Sequence, residues 1–173
     1  LYVDQEGGNI RRFEQYNLPS PKEAVKNNNI NQYNELLKKT AQGLKDNCID
    51  VNLAPYVELK DENNRSYGSN YKKTKQYATM FVNTMNQYGI KSVLKHFPGE
   101  ADQCKSVTDL SHLGLKKKKN SEVYICNILD KIEFDKNVEM FIDVPSDAVM
   151  IGQGIYTQLS PYPALLEPQM RVW

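Results

Sequence analysis

The apolar residues of this chain switch between helical and extended spacing several times along its length, and that alternation limits the folds open to it. Leu1-Tyr2-Val3 reads as the end of a buried strand. Between about Asn31 and Leu44, Tyr33, Leu36, Leu37, Ala41 and Leu44 recur at three- and four-residue steps, the mark of an amphipathic helix. Cys48 to Leu59 reads as a strand through Ile49, Val51, Leu53 and Val57. Pro55 is tolerable there near the strand end, where no ladder donor is needed. Glu62 to Asn70 is polar and rich in turn formers, hence a loop. A second helix is predicted over Tyr71 to Tyr88, followed by Gly89 in the place that favours a left-handed cap. Ile90 to Phe97 is the next strand. A long loop, a helical region from about Ser121 to Ile142, a strand from Ala148 to Ile155 and a Pro-rich turn at Ser160 to Ala164 complete the pattern. Strands alternating with helices predict α/β structure built on a parallel sheet. Ligands of such folds sit at the C-terminal ends of the strands. Asp4, Glu58, Lys95 and His96 all fall there.

Composition removes several function classes. The 173 residues suit one domain, and 22 basic residues nearly balance 21 acidic ones. No global charge argues for nucleic acid or an acidic membrane surface. The basic run Lys116 to Lys119 is local and reads as a solvated loop or helix start. No apolar run approaches the roughly 20 residues of a membrane span. Cys48, Cys104 and Cys126 are odd in number, widely spaced and form no CxxC pair. They suggest neither a zinc site nor a disulfide framework, and fit a reducing compartment such as the cytoplasm.

Two stretches hold the candidate chemistry. One is Asp4-Gln5-Glu6-Gly7-Gly8. The other is Lys95-His96-Phe97-Pro98-Gly99, leading into Asp109-Leu110-Ser111-His112. His96 and His112 are the only histidines, and histidine trades protons most readily near neutral pH. A lysine at a strand end is costly to bury unless it meets a carboxylate or a ligand. Asp4 is the expected partner of Lys95 across the strand ends. Structural ion pairs would account for Asp4, Arg12 and Lys95 as well, and an arginine such as Arg65 in a polar loop is by itself ordinary.

With these residues in view, the chain resembles glycoside hydrolase family 3, in its β-N-acetylhexosaminidase branch. The matching stretches are Val3 to Gly8 with Arg11-Arg12-Phe13, Asn52-Leu53-Ala54-Pro55, Arg65-Ser66-Tyr67-Gly68, Lys95 to Gly99, Asp109 to Leu115, and Ala148-Val149-Met150. They stand in the family's order and span nearly the whole chain. The resemblance implies a (β/α)8 TIM barrel, here partial, with about four parallel strands alternating with helices. Residues 1–173 are then a single partial barrel domain that begins near the second strand and ends before the later ones.

The resemblance also implies roles. Asp4, Arg12, Arg65, Lys95 and His96 would bind the sugar. A carboxylate accepts from pyranose hydroxyls and a guanidinium donates to them through charge-assisted hydrogen bonds. Gly7 and Gly8 permit the turn that brings Arg12 back over the strand end. Most glycosidases use a carboxylic acid as general acid/base. This branch uses a histidine instead, which points to His112 with Asp109 as its partner. Leu110 occupies the position, two before the histidine, where the family places that aspartate, and Asp109 lies one residue earlier. Asp102 is a second candidate partner, and Glu100 stands where the family usually has another histidine.

The family's nucleophile is an aspartate on a later strand, and nothing after Ala164 offers it. Asp143 and Asp147 precede a strand, at the wrong end for chemistry. The implied activity is a retaining β-N-acetylglucosaminidase acting on amino-sugar glycans such as peptidoglycan fragments, without cofactor or metal. Residues 1–173 are expected to be inactive alone. A non-catalytic sugar-binding relic, a broken-gene fragment and, less favoured, a β-glucosidase are the alternatives.

Overall fold

The computed structural model describes residues 1–61, 64–99, 105–107, 123–126, 131–152 and 155–156. Its main sheet holds four parallel strands: β1 (Tyr2–Val3), β2 (Val51–Asn52), β3 (Lys91–Phe97) and, after two short strands treated below, β6 (Ala148–Ile151). They lie side by side in the order β1-β2-β3-β6. Between them run the helices α1 (Pro21–Asn27), α2 (Ile30–Asp46), α3 (Tyr71–Gln87) and α4 (Lys131–Asp143). This is the parallel α/β arrangement that the alternating pattern predicts.

The helices form where the periodicity places them. On α2, Tyr33, Leu37, Ala41 and Leu44 are buried, and α3 buries Tyr77, Ala78, Phe81, Val82 and Met85 against it. Each such large side chain contributes roughly 1.5–3 kcal/mol through the apolar surface it removes from water. Asn29 and Asn70 cap the two helices by accepting from the backbone N–H of Gln32 and Lys73. Gly89 follows α3 with φ of 77°, in the left-handed region. Tyr33, Tyr67 and Tyr77 pack ring against ring, and the hydroxyls of Tyr33 and Tyr67 share a 3.0 Å hydrogen bond.

Several expectations are corrected. Helix α1 falls in a stretch that the periodicity leaves blank, and its start was readable in Ser20-Pro21-Lys22-Glu23. Ser20 Oγ accepts from the Glu23 N–H, and the Glu23 carboxylate accepts from the Ser20 N–H, a complete capping box with proline in the first turn. Cys48 to Leu59 is not one strand. Only Val51–Asn52 joins the ladder, and Tyr56 returns to β3 through a single parallel bridge to Lys95. Pro55 has no N–H to give the ladder, which is interrupted between Asn52 and Tyr56.

The region predicted as helix from Ser121 instead contains strand β5 (Val123–Cys126), antiparallel to β4 (Lys105–Val107). A β-branched and aromatic run such as Val-Tyr-Ile favours a pleated surface. The helix begins only at Lys131. The strand expected through Ile155 splits: β6 pairs with β3, and β7 (Ile155–Tyr156) pairs with β5. At the start of the chain only Val3 is buried. Leu1 and Tyr2 are exposed, against the expectation of a buried strand end. The turn expected at 160–164 lies outside the described residues.

Candidate functional site at the strand ends

Asp4, Gln5 and Glu6 leave β1, Tyr56 and Glu58 follow β2, and Lys95 and His96 close β3. Because β1, β2 and β3 are parallel neighbours, these residues from distant parts of the chain arrive at one end of the sheet. The β3–β6 ladder shifts register between Lys95 and Phe97, around His96.

The turn after β1 is built by Gln5 and two glycines. The buried Gln5 exchanges hydrogen bonds with Asn52, its N–H donating to Oδ1 and its carbonyl accepting from Nδ2, both at 3.0 Å. Its side-chain oxygen accepts from the backbone N–H of Arg12 (2.8 Å) and Phe13 (3.1 Å). Gly7, at φ 106°, lies against the carbonyl of Pro19, where a Cβ has no room. The backbone of Arg12 is thus returned to the strand end as expected. Its side chain is exposed, and no ion pair joins it to Asp4 among the described residues.

The charged centre is a chain of four side chains. Lys95, only 2% exposed, donates to Asp4 Oδ1 at 2.7 Å, and its Nζ lies 2.6 Å from Glu6 Oε1. Glu6, also buried, receives Arg65 in a two-point contact, Nε to Oε2 at 2.9 Å and Nη2 to Oε1 at 2.7 Å. Two buried or half-buried cations therefore meet two carboxylates, which is what makes charge this deep tolerable. The Asp4 side chain is 35% exposed, so its carboxylate still reaches solvent. An ammonium carries three donors; one goes to Asp4 and a second faces Glu6, which leaves one for a hydroxyl.

Arg65 is not a solvated loop arginine. Its loop is knotted by Ser66, whose Oγ donates to the Glu58 carbonyl at 2.6 Å and accepts from the Gly68 N–H at 3.0 Å. Nearby, the hydroxyl and amide of Ser69 hold the Asp61 carboxyl below the usual carboxylate range. Under the site, burial, followed by the neighbouring Tyr33 and the charge of Glu6, pushes the Tyr67 hydroxyl well above its ordinary pKa.

His96 is held by Glu58, whose Oε1 receives both the His96 backbone N–H at 3.0 Å and ring Nδ1 at 3.1 Å. The buried Tyr56 donates its hydroxyl to Glu58 Oε2 at 2.7 Å. Gln5, Glu6 and Tyr56 have no role among the sequence expectations. A signal for Glu6 was present: a carboxylate placed between a strand and two glycines needs cations, and Lys95 and Arg65 were already singled out. His112, Asp109, Asp102 and Glu100 lie outside the described residues. Asp143 and Asp147 are engaged away from the site. Asp143 accepts from Tyr71 and Lys75, and Asp147 caps the N–H of Ser92 at the opening of β3.

Parallel strands with paired carboxylates and cations at their C-terminal ends define an α/β protein with its polar site in the usual place. Residues 1–171 match the model of the glycosyl hydrolase family 3 N terminal domain, and the chain belongs to that family. A beta-hexosaminidase of Tolumonas auensis is 31% identical over 175 residues, covering 95% of this chain and 49% of that protein. The chain spans about half the length of the curated relatives it matches. Among solved structures, a family 3 glycosyl hydrolase from Mycobacterium smegmatis superposes with a TM-score of 0.78 at 21% identity, covering 98% of this chain and 51% of that one. NagZ from Neisseria gonorrhoeae, in complex with N-trifluoroacetyl-D-glucosamine, gives 0.73 at 21% identity, covering 94% and 49%. At that identity these structures establish the fold.

Proposed function

We propose that the protein carrying this chain is a retaining β-N-acetylglucosaminidase that releases terminal N-acetylglucosamine from β-linked amino-sugar glycans such as peptidoglycan fragments. The observation that carries the reading is the Asp4–Lys95–Glu6–Arg65 chain beside His96 at the strand ends of a family 3 domain. A half-exposed carboxylate and an ammonium with one donor left suit a ring of sugar hydroxyls, each of which both donates and accepts. Arg12, returned by Gln5 to the rim, is the further donor. The relatives' name, beta-hexosaminidase, and the glucosamine derivative bound by NagZ favour an amino sugar.

In this reading His112, assisted by Asp109, is the general acid/base, since imidazole changes charge near working pH. In this reading the nucleophilic aspartate lies on a later strand, and residues 1–173 alone are expected not to turn the sugar over. The test is hydrolysis of para-nitrophenyl N-acetyl-β-glucosaminide by the full-length protein. Asp4→Ala is expected to lower kcat/KM by about 10–100-fold, the value of hydrogen bonds to a charged group. Equal kcat/KM on the matching β-glucoside would overturn the amino-sugar assignment. N-acetylglucosamine binding without hydrolysis would leave a sugar-binding protein in place of an enzyme.

A further inference from the structure

We infer that Tyr56 and Glu58 form a buried positioning pair for the basic sugar-binding residues, with Glu58 fixing His96 as the Nδ1–H tautomer. The inference rests on the sugar-pocket reading above and adds two residues which that reading leaves without a role. Both side chains are closed to solvent, so neither touches a substrate directly. They stand two residues apart on an extended segment, which turns them to the same face.

Tyr56 borders Lys95, Arg65 and His96. Its backbone bridges to Lys95, with the Lys95 N–H donating to the Pro55 carbonyl and the Val57 N–H donating to the Lys95 carbonyl. Its ring lies beneath Arg65, whose guanidinium carbon is 4.7 Å from the ring centroid, a cation–π contact. Its edge packs against the His96 ring at 5.8 Å and 76°. One rigid ring thus sets Arg65 and His96 relative to each other, while the backbone around it fixes Lys95.

Glu58 supplies the chemistry. Oε1 accepts the His96 backbone N–H, so it is an acceptor, and the ring nitrogen 3.1 Å away must donate to it. In the neutral imidazole the proton then resides on Nδ1, and Nε2 is left as an acceptor. Oε2 is occupied by the Tyr56 hydroxyl at 2.7 Å, with Lys60 Nζ at 3.7 Å, so the carboxylate cannot rotate freely. An Nε2 acceptor beside a Lys95 donor matches a sugar hydroxyl, which offers one hydrogen and takes another.

The deciding measurement is nitrogen-15 NMR of the His96 ring in the full-length protein. It is made at mildly alkaline pH, where an ordinary imidazole is neutral, with the signal assigned by its loss in His96→Gln. The wild type is expected to show the Nδ1–H tautomer, and an Nε2–H ring would overturn the inference whatever any variant does. Glu58→Ala should release the ring to the Nε2–H form and weaken N-acetylglucosamine binding about 10-fold or more. Glu58→Gln, whose amide oxygen can still accept from Nδ1–H, should restore both. Wild-type tautomer and affinity in Glu58→Ala would refute the assignment. An Nδ1–H ring in a wild-type protein that binds no N-acetylglucosamine would uphold the positioning pair and refute the sugar-pocket reading instead.

Discussion

Replacing Lys95 with methionine tests the central ion-pair chain most directly. The methionine keeps nearly all the apolar stem and volume, so no large cavity opens. What is lost is a buried cation lying 2.7 Å from Asp4 and 2.6 Å from Glu6. Removing one partner of a buried pair costs about 3–5 kcal/mol, because the other charge stays behind in low dielectric. Two features place this site at the low end. Glu6 keeps its two-point contact with Arg65, and Asp4 can rehydrate because its side chain is already 35% exposed. The expected loss is therefore about 3 kcal/mol. Urea unfolding at neutral pH reads it as a lower midpoint at constant slope. Adding Glu6→Gln removes the charge left behind, so the double variant should fall short of additivity by about 1 kcal/mol or more. A Lys95→Met protein within about 1 kcal/mol of wild type would refute the view that these charges depend on one another.

Other expectations follow from the turns, the caps and the buried phenols. Gly7→Ala forces a side chain into a left-handed φ and onto the Pro19 carbonyl. It should cost at least about 2 kcal/mol by urea midpoint, and a loss under about 1 would contradict the strained-turn account. Ser20→Ala removes half of the capping box and should destabilise by about 1 kcal/mol, with amide exchange of α1 accelerated first. Burial raises the hydroxyl pKa of both Tyr33 and Tyr67. Their contribution to stability is full below the ordinary tyrosine value of about 10 and is lost as pH rises beyond it, since the unfolded chain then releases protons that the folded one retains. Stability followed by urea midpoint should fall on the alkaline side, and Tyr33→Phe should shallow that fall. An unchanged slope would count against the buried pair.

How much of this was legible beforehand differs by element. Helices α2 and α3 were readable almost to the residue, because a seventeen-residue amphipathic stretch repeats its signal over several turns. Strands β2 and β5 were not, since two to four residues carry too little period to separate a strand from a loop or a helix. Asp4, Arg65, Lys95 and His96 were named from the motifs that carry them, and the Lys95–Asp4 pairing followed from the cost of burying a lysine. The partners of Arg65 and His96 did not follow. Glu6 meets Arg65 across 59 positions, and Glu58 meets His96 across 38.

The sequence by itself determined that α2 and α3 are helices and which strand ends carry charge. Those are local facts, set by periodicity within one segment. Only the tertiary structure decided that Glu6 is the buried hub between two cations, that Tyr56 lies beneath Arg65, and that Arg12 stands apart from Asp4. The reason is geometric. Placing β2 between β1 and β3 brings three distant strand ends within hydrogen-bond reach, and no property of any single segment specifies which strand will be its neighbour.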